Sequence, residues 1–110
     1  MQHSFPSCQK IRQKKEFEQA FVNKGLTNKW FTIYLVDRKH KYPRLGMVVS
    51  KRTMSKSVSR NYAKRLIREI FRLNSSCLPA LDFVVRIRRN LTKESALEAR
   101  ESLIKLMRNT

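Results

Sequence analysis

The densest run of side chains able to do chemistry lies between positions 50 and 72, and all but one of its charged residues are cations. Clustered ammonium and guanidinium groups bind and neutralise phosphates, so the run indicates binding to a polyanion rather than proton transfer. A merely solvated helix face would contain acids for pairing at i,i+4, whereas Glu69 is the single acid here. The cations are Lys51, Arg52, Lys56, Arg60, Lys64, Arg65, Arg68 and Arg72.

Groups that could catalyse a reaction directly are scarce. The two histidines fall near the start of the chain and in a predicted turn, and the acids are scattered. Asp37 and Asp82 flank predicted strands, which favours roles as turn or cap residues. The sequence contains no Gly-rich phosphate loop, and neither cysteine has a partner at zinc-ligand spacing. We therefore expect no catalytic residue and no metal site in the protein, and reduced, structural cysteines.

Length and charge predict one basic domain over residues 1–110, with 1–12 as a loosely ordered lead-in. The 110 residues include 25 Lys+Arg and 8 Asp+Glu, a net charge of +17, and 41% are hydrophobic, enough for a core. Charge this one-sided favours a nucleic-acid partner, with an anionic membrane as the alternative. Because no apolar run approaches the roughly 18 residues of a membrane span, we expect a cytoplasmic protein.

Hydrophobic periodicity predicts the order α-β-β-α-β-α, a two-layer α+β sandwich. We expect the first two strands to pair as a hairpin, since a short polar turn joins them. Thr92 is the predicted N-cap of the last helix. The predicted helices span 14–23, 55–73 and 92–108, and the predicted strands span 30–36, 44–50 and 82–88.

The predicted helix at 55–73 has two different faces when its residues are placed at about 100° intervals. One side carries the apolar residues Val58, Tyr62, Ala63, Leu66, Ile67, Ile70, Phe71 and Leu73, which we expect to pack on the sheet. The other side carries Arg60, Asn61, Lys64, Arg65, Arg68 and Arg72. Elsewhere, Phe17 and Phe21 are by default core residues and Tyr34 is by default an aromatic residue on a sheet face, with stacking on nucleic-acid bases as the alternative for all three.

The motif from Lys56 through Arg60-Asn61 and Lys64-Arg65-Leu66-Ile67-Arg68-Glu69 to Phe71-Arg72 resembles the protein subunit of bacterial ribonuclease P. The resemblance extends over most of the chain, through 15–21, 31–34, 45–52 and 82–88. Two departures stand out. Tyr62 occupies the last position of the usual Arg-Asn-Arg, and the loop 51–57 lacks a glycine found in many members.

This resemblance implies the order α-β-β-β-α-β-α, a ribosomal-protein-like sandwich with a left-handed βαβ crossover. We assign the extra strand to the neighbourhood of Met54. It also implies a monomeric protein, one per catalytic RNA, which assists that RNA in removing the 5′ leader of precursor tRNA, with Mg²⁺ held mainly by RNA. The expected contacts to the catalytic RNA are Lys51, Arg52, Lys56, Arg60, Asn61, Lys64, Arg65, Arg68 and Arg72. The expected contacts to the leader are Phe17, Phe21 and Tyr34.

Two other function classes remain open at this point. A structural RNA-binding protein, such as a ribosomal protein, would share the charge and the layers, but it needs no channel for a leader. A free-standing nuclease would need acids or histidines that converge on one site, and the sequence offers no such pattern.

Overall fold

The structure is a computed structural model, and it describes residues 21, 25–37, 39 and 41–109. The predicted lead-in at 1–12 and most of the predicted helix at 14–23 lie outside the described residues. Phe21, from that predicted helix, is described and is helical.

Four strands and two helices make up the described fold. The strands form one sheet in the order β1-β2-β4-β3, in which β3 and β4 run parallel and the other neighbours run antiparallel. Within the described residues, the order of elements confirms the predicted α+β class and the order implied by the resemblance, whereas the order predicted from periodicity lacked one strand. The elements are β1 (Gly25–Thr27), β2 (Phe31–Val36), β3 (Arg44–Val48), α1 (Ser57–Asn74), a short 3-10 helix (Ser75–Cys77), β4 (Asp82–Ile87) and α2 (Ala96–Arg108).

The hairpin predicted between the strands at 30–36 and 44–50, which are β2 and β3 of the structure, is wrong. Strand β4 lies between β2 and β3, pairing with β2 from Phe31↔Ile87 to Val36↔Asp82 and with β3 from Arg44↔Asp82 to Val48↔Arg86. The chain therefore leaves β3, crosses the sheet through α1 and returns in β4. Such a crossover is how two parallel strands are joined.

The extra strand also differs from its predicted place. It is β1, whose Gly25 pairs with Tyr34 across the sheet. A Cβ atom on Gly25 would lie 3.1 Å from the Ile33 carbonyl oxygen and 3.1 Å from Thr32 Cγ2, so the close approach favours glycine. Met54, near which we expected the strand, is fully buried in the loop before α1, where it anchors that loop to the core.

The main core lies between one face of the sheet and the two helices. Phe31, Ile33 and Phe83 of the sheet are fully buried, and the Phe71 ring of α1 meets the Phe83 ring edge-on at 5.9 Å. The buried residues of the helices are Ala63, Leu66, Ile67, Ile70 and Phe71 in α1 and Ala99, Leu103, Leu106 and Met107 in α2.

Two residues assigned to the buried side of α1 are exposed instead. Val58 is 78% exposed and Leu73 is 58% exposed. Both lie in the terminal turns of a helix of 18 residues, about 27 Å long, whereas β4 beneath it has 6 residues and spans about 20 Å. The ends of α1 therefore extend past the sheet that would bury them.

The last helix begins later than predicted. Its first residue is Ala96, with Ser95 at the N-cap position rather than Thr92. Thr92 and Ser95 instead stabilise the preceding turn, because the backbone N–H of Thr92 donates to Ser95 Oγ at 3.0 Å and that of Ser95 donates to Thr92 Oγ1 at 3.3 Å.

Candidate nucleic-acid interface

The predicted cations gather on one side of α1 and on the loop before it. We call Arg60, Asn61, Lys64, Arg65, Arg68 and Arg72 the cationic stripe. Spacing at i,i+4 places them along one side of the helix, while the core residues occupy the other. Asn61 and Arg65 are exposed, and the other four are partly buried. Lys51, Arg52 and Lys56, in the loop before α1, are exposed.

The single acid of α1 faces the other helix. Glu69 Oε1 accepts a hydrogen bond from Arg100 Nη1 of α2 at 2.7 Å. Its charge is therefore engaged between the helices, and none of the ion pairs among the described residues joins an acid to the cationic stripe, whose positive charge a polyanion could neutralise.

Arg60 has a structural task that its sequence position does not reveal. Its Nη1 donates to the carbonyl oxygens of Met54 at 3.0 Å and Ser55 at 2.8 Å. These bonds hold the loop before α1 against the first turns of the helix. Arg60 thus positions the exposed cations Arg52 and Lys56, in addition to the RNA contact predicted for it.

Tyr62, which departs from the family motif, belongs to the apolar side of α1. It is partly buried and packs against the main core. It therefore does not extend the cationic stripe, and its ring lines a groove beside α1 instead.

A second surface lies on the sheet face opposite the main core. There Tyr34 packs against the fully buried Val84, and the Phe21 ring meets the Tyr34 ring edge-on with 5.2 Å between centroids. Phe21 is 41% exposed. Phe17, the third predicted leader contact, lies outside the described residues.

Phe21 also forms a wall of a cavity of about 350 Å³, which we call the aromatic cleft. Its other lining residues are Met47, Val48, Val49 and Lys64. Lys64 belongs to the cationic stripe as well, so it joins the two surfaces. Phe21 thus connects two neighbours: its ring contacts Tyr34 of β2, and together with the stripe cation Lys64 it lines the cleft beside β3.

A third surface, which is concave like the aromatic cleft, was not predicted from the sequence. We call it the basic groove; its volume is about 560 Å³, and it runs between the start of α1 and the turn before α2. Lys93 contributes a cation from that turn, but in the sequence it belongs to a run of alternating charges typical of a solvated helix face. The groove is lined by Arg52, Thr53, Ser55, Lys56, Val58, Ser59, Tyr62, Asn90, Leu91, Thr92 and Lys93.

Asp82 is a structural residue, but not the turn or cap residue that we expected. It is the first residue of β4 and is fully buried. Its Oδ1 and Oδ2 accept hydrogen bonds from Arg44 Nε at 2.8 Å and Nη2 at 2.7 Å. Asp37 does stabilise a turn: the Lys39 backbone N–H and ammonium hold the pKa of the Asp37 carboxyl below its usual value.

The described carboxylates do not converge on one position. Asp82 binds Arg44, Glu69 binds Arg100, and Glu98 accepts a hydrogen bond from Trp30 Nε1 at 3.0 Å. Within the described ranges, no three His, Cys, Asp or Glu side chains are grouped so as to hold a metal ion. Among the same residues, no helix has the length and apolar character needed to cross a membrane.

Known proteins are similar to this chain in both sequence and fold. The profile of the Ribonuclease P family matches residues 5–110. The chain is 33% identical over 98 residues to the ribonuclease P protein component of Chromobacterium violaceum, covering 88% of this chain and 81% of that relative. The RNase P protein from Staphylococcus aureus has a TM-score of 0.81 at 27% identity, covering 92% of this chain and 94% of that one. The RNase P protein from Thermotoga maritima has a TM-score of 0.77 at 32% identity, covering 92% and 96%. The chain therefore belongs to the family of ribonuclease P protein components.

Proposed function

We propose that this component of the tRNA-processing enzyme binds the catalytic RNA through the cationic stripe and the 5′ leader of precursor tRNA in the aromatic cleft. The observation that carries the proposal is that Lys64 belongs to both surfaces. An RNA bound on the stripe and a strand lying in the cleft would meet at that residue. The protein would thereby hold the leader beside the RNA that cuts it.

The cationic stripe supplies affinity for the catalytic RNA. Arg65 and Arg68 can each donate several hydrogen bonds to phosphate oxygens, and each neutralised phosphate releases counterions. Exposed Lys51, Arg52 and Lys56 extend the same positive surface along the loop. These contacts are largely independent of base identity, as suits a surface that positions RNA.

The aromatic cleft suits a single strand. Phe21 offers a partly exposed ring at its wall, and Tyr34 supports that ring from the sheet. Bases stack on aromatic rings with little sequence preference, while Lys64 can pair with the backbone. Leaders of different sequence would therefore fit the same site.

Hydrolysis in this proposal is the task of the RNA subunit. The described carboxylates are engaged in ion pairs and hydrogen bonds or lie apart, so they do not fit a Mg²⁺ site, and we propose that RNA holds the metal. We further propose one protein molecule per RNA, acting in the cytoplasm, where precursor tRNA is made. A purely structural RNA-binding role is less well supported, because it leaves the aromatic cleft without a ligand.

Reconstitution with a ribonuclease P RNA at low Mg²⁺ tests the proposal. Stacking contributes about 1–3 kcal/mol per base, so Phe21→Ala or Tyr34→Ala should weaken precursor tRNA binding roughly 5- to 150-fold. Binding of mature tRNA should hardly change, and the loss should disappear for leaders too short to reach the cleft. Tyr42→Ala, which alters an exposed tyrosine outside the cleft, is the matched control.

Thermal stability of each variant separates the alternatives. If Phe21→Ala lowers stability strongly and leaves the preference for precursor over mature tRNA intact, these aromatic residues are core residues and the leader site is wrong. Cleavage by the purified protein with no RNA present would contradict catalysis by the RNA subunit.

A further inference from the structure

The basic groove lies on the opposite flank of α1 from the aromatic cleft. Tyr62 lines the groove and Lys64 lines the cleft. Residues two positions apart in a helix are separated by about 200° around its axis, so these two side chains lie on nearly opposite sides of α1. The cationic stripe runs between these flanks. A strand in the cleft and a ligand in the groove would therefore contact different sides of the same helix.

The wall formed by the loop before α1 is held in place. The backbone N–H of Thr53 donates to Ser50 Oγ at 3.2 Å, and the backbone N–H of Met54 donates to the Ser50 carbonyl oxygen at 2.9 Å. Met54 is fully buried, and Arg60 binds the carbonyl oxygens of Met54 and Ser55. Arg52 and Lys56 thus project from a constrained segment.

The opposite wall is fixed as well. Leu91 is only 3% exposed, and Thr92 and Ser95 bind each other's backbone N–H groups. Lys93 lies within this turn. A concave site with two constrained walls loses little conformational entropy on binding, as expected of a site that exists before its ligand arrives.

The lining combines the two properties that an unpaired nucleotide requires. Arg52, Lys56 and Lys93 supply positive charge, and none of the described residues that line the groove is acidic. The Tyr62 ring and the 78% exposed Val58 supply an apolar surface. The volume of about 560 Å³ is in the range of sites that enclose one small ligand, and it is too small to enclose a paired helix.

We propose that the basic groove receives one unpaired nucleotide of the RNA subunit, with its base against Tyr62 and Val58 and its phosphate near Arg52, Lys56 and Lys93. This inference rests on the proposed function, because it assumes that the RNA subunit lies on the cationic stripe. The RNA subunit is the source rather than the leader, since the leader is assigned to the other flank of α1. Arg52 and Lys56 connect the groove to the surface assigned to that RNA.

Site-directed crosslinking identifies the ligand. In a Cys8→Ser, Cys77→Ser background, Val58→Cys would carry a benzophenone, and the holoenzyme would be assembled with labelled RNA subunit or with labelled precursor tRNA. We expect crosslinks to unpaired nucleotides of the RNA subunit. The control is Leu73→Cys, an exposed apolar position on the same helix about 22 Å away, which should give a different pattern or none.

Three results would overturn the proposal: no crosslink from position 58, crosslinks only to paired nucleotides, or crosslinks to the leader instead of the RNA subunit. The last result would assign the groove to the precursor tRNA.

An affinity measurement gives a second readout, and it uses a substitution that does not alter the core. Lys93→Ala should weaken binding of the RNA subunit roughly threefold to tenfold and reduce the salt slope by about one, as for the loss of one phosphate contact. Lys105→Ala, at an exposed lysine of α2 outside the groove, should leave both unchanged.

Arg65→Ala separates failure of the groove from failure of the proposed function. If Arg65→Ala weakens binding and Lys93→Ala does not, the groove is wrong and the stripe stands. If neither variant weakens binding, the proposed RNA-binding surface itself is wrong.

Discussion

Arg44 and Asp82 form the most buried ion pair among the described residues, with 12% and 0% of their side chains exposed. Removing one member of such a pair leaves the other charge poorly compensated. We therefore expect Asp82→Ala to lower the free energy of unfolding by about 3–5 kcal/mol in a urea titration.

Glu101→Ala, at an exposed acid of α2, serves as the control and should change the free energy of unfolding by less than about 0.5 kcal/mol. Equal, small effects for both variants would mean that the Arg44–Asp82 pair contributes nothing net to stability.

This ion pair also shows what the sequence could not reveal. Arg44 and Asp82 stand 38 positions apart, and they meet only because β3 and β4 run parallel with those residues in register. Periodicity specifies which face of a strand is buried, but it contains no information about the neighbouring strand. Asp82 could therefore be identified as a residue at a strand end, but not as a buried partner of Arg44.

Glu98 provides a pH-dependent contribution to stability. The hydrogen bond from Trp30 and the nearby Lys29 ammonium hold the pKa of the Glu98 carboxyl below its ordinary value of 4.5. A carboxyl whose pKa is lowered by folding stabilises the folded state above its unfolded pKa, and this contribution is lost as pH falls through the lowered value.

The stability advantage of the native protein over Glu98→Gln should therefore be full near neutral pH, begin to decline near pH 4.5 and be lost once the pH falls below the lowered pKa of Glu98. Denaturant titrations between about pH 7 and pH 3, followed by fluorescence of the single tryptophan, would measure it. An advantage that stays constant as pH falls would contradict this assignment.

At the scale of elements, we expect one side of α1 to determine stability and the other to determine binding. Ile67 is fully buried, so Ile67→Ala should cost about 2–5 kcal/mol of unfolding free energy. Arg65 is exposed, so Arg65→Ala should stay within about 0.5 kcal/mol and yet weaken assembly with the RNA subunit.

Thermal melts and filter-binding assays on the same two α1 variants make the comparison. A melting temperature lowered equally by both variants, with RNA affinity unchanged in Arg65→Ala, would mean that the two sides of α1 are inverted.

The elements themselves were predictable to different degrees. Clear hydrophobic periodicity predicted four of these regions from the sequence: strands β2 and β4, the middle of α1 and the end of α2. Strand β1 has only 3 residues, too few for alternation to show, and it depends on its pairing with β2. The cationic stripe followed from helical spacing alone, whereas the basic groove joins α1 to a turn some 30 residues away and needed the fold.

For the whole molecule, the net charge of +17 should make RNA binding strongly dependent on salt. If about six phosphates are neutralised, log K should fall with log salt concentration at a slope of roughly −4 to −5. Filter binding across a salt series measures the slope. A value near zero would remove the electrostatic basis of the interface.

The crossover from β3 through α1 to β4 would link folding to the RNA binding proposed above. Arg60, Lys64, Arg68 and Arg72 repeat like charges at i,i+4, an arrangement that destabilises an isolated helix, so α1 depends on the sheet to which it is docked. A ligand that binds only the folded chain stabilises it in proportion to the logarithm of its concentration over Kd. Folding of the sheet and binding of RNA would therefore be thermodynamically linked. A substitution deep in the sheet would reduce the fraction of folded chains that can assemble with RNA, although it changes no residue of the interface.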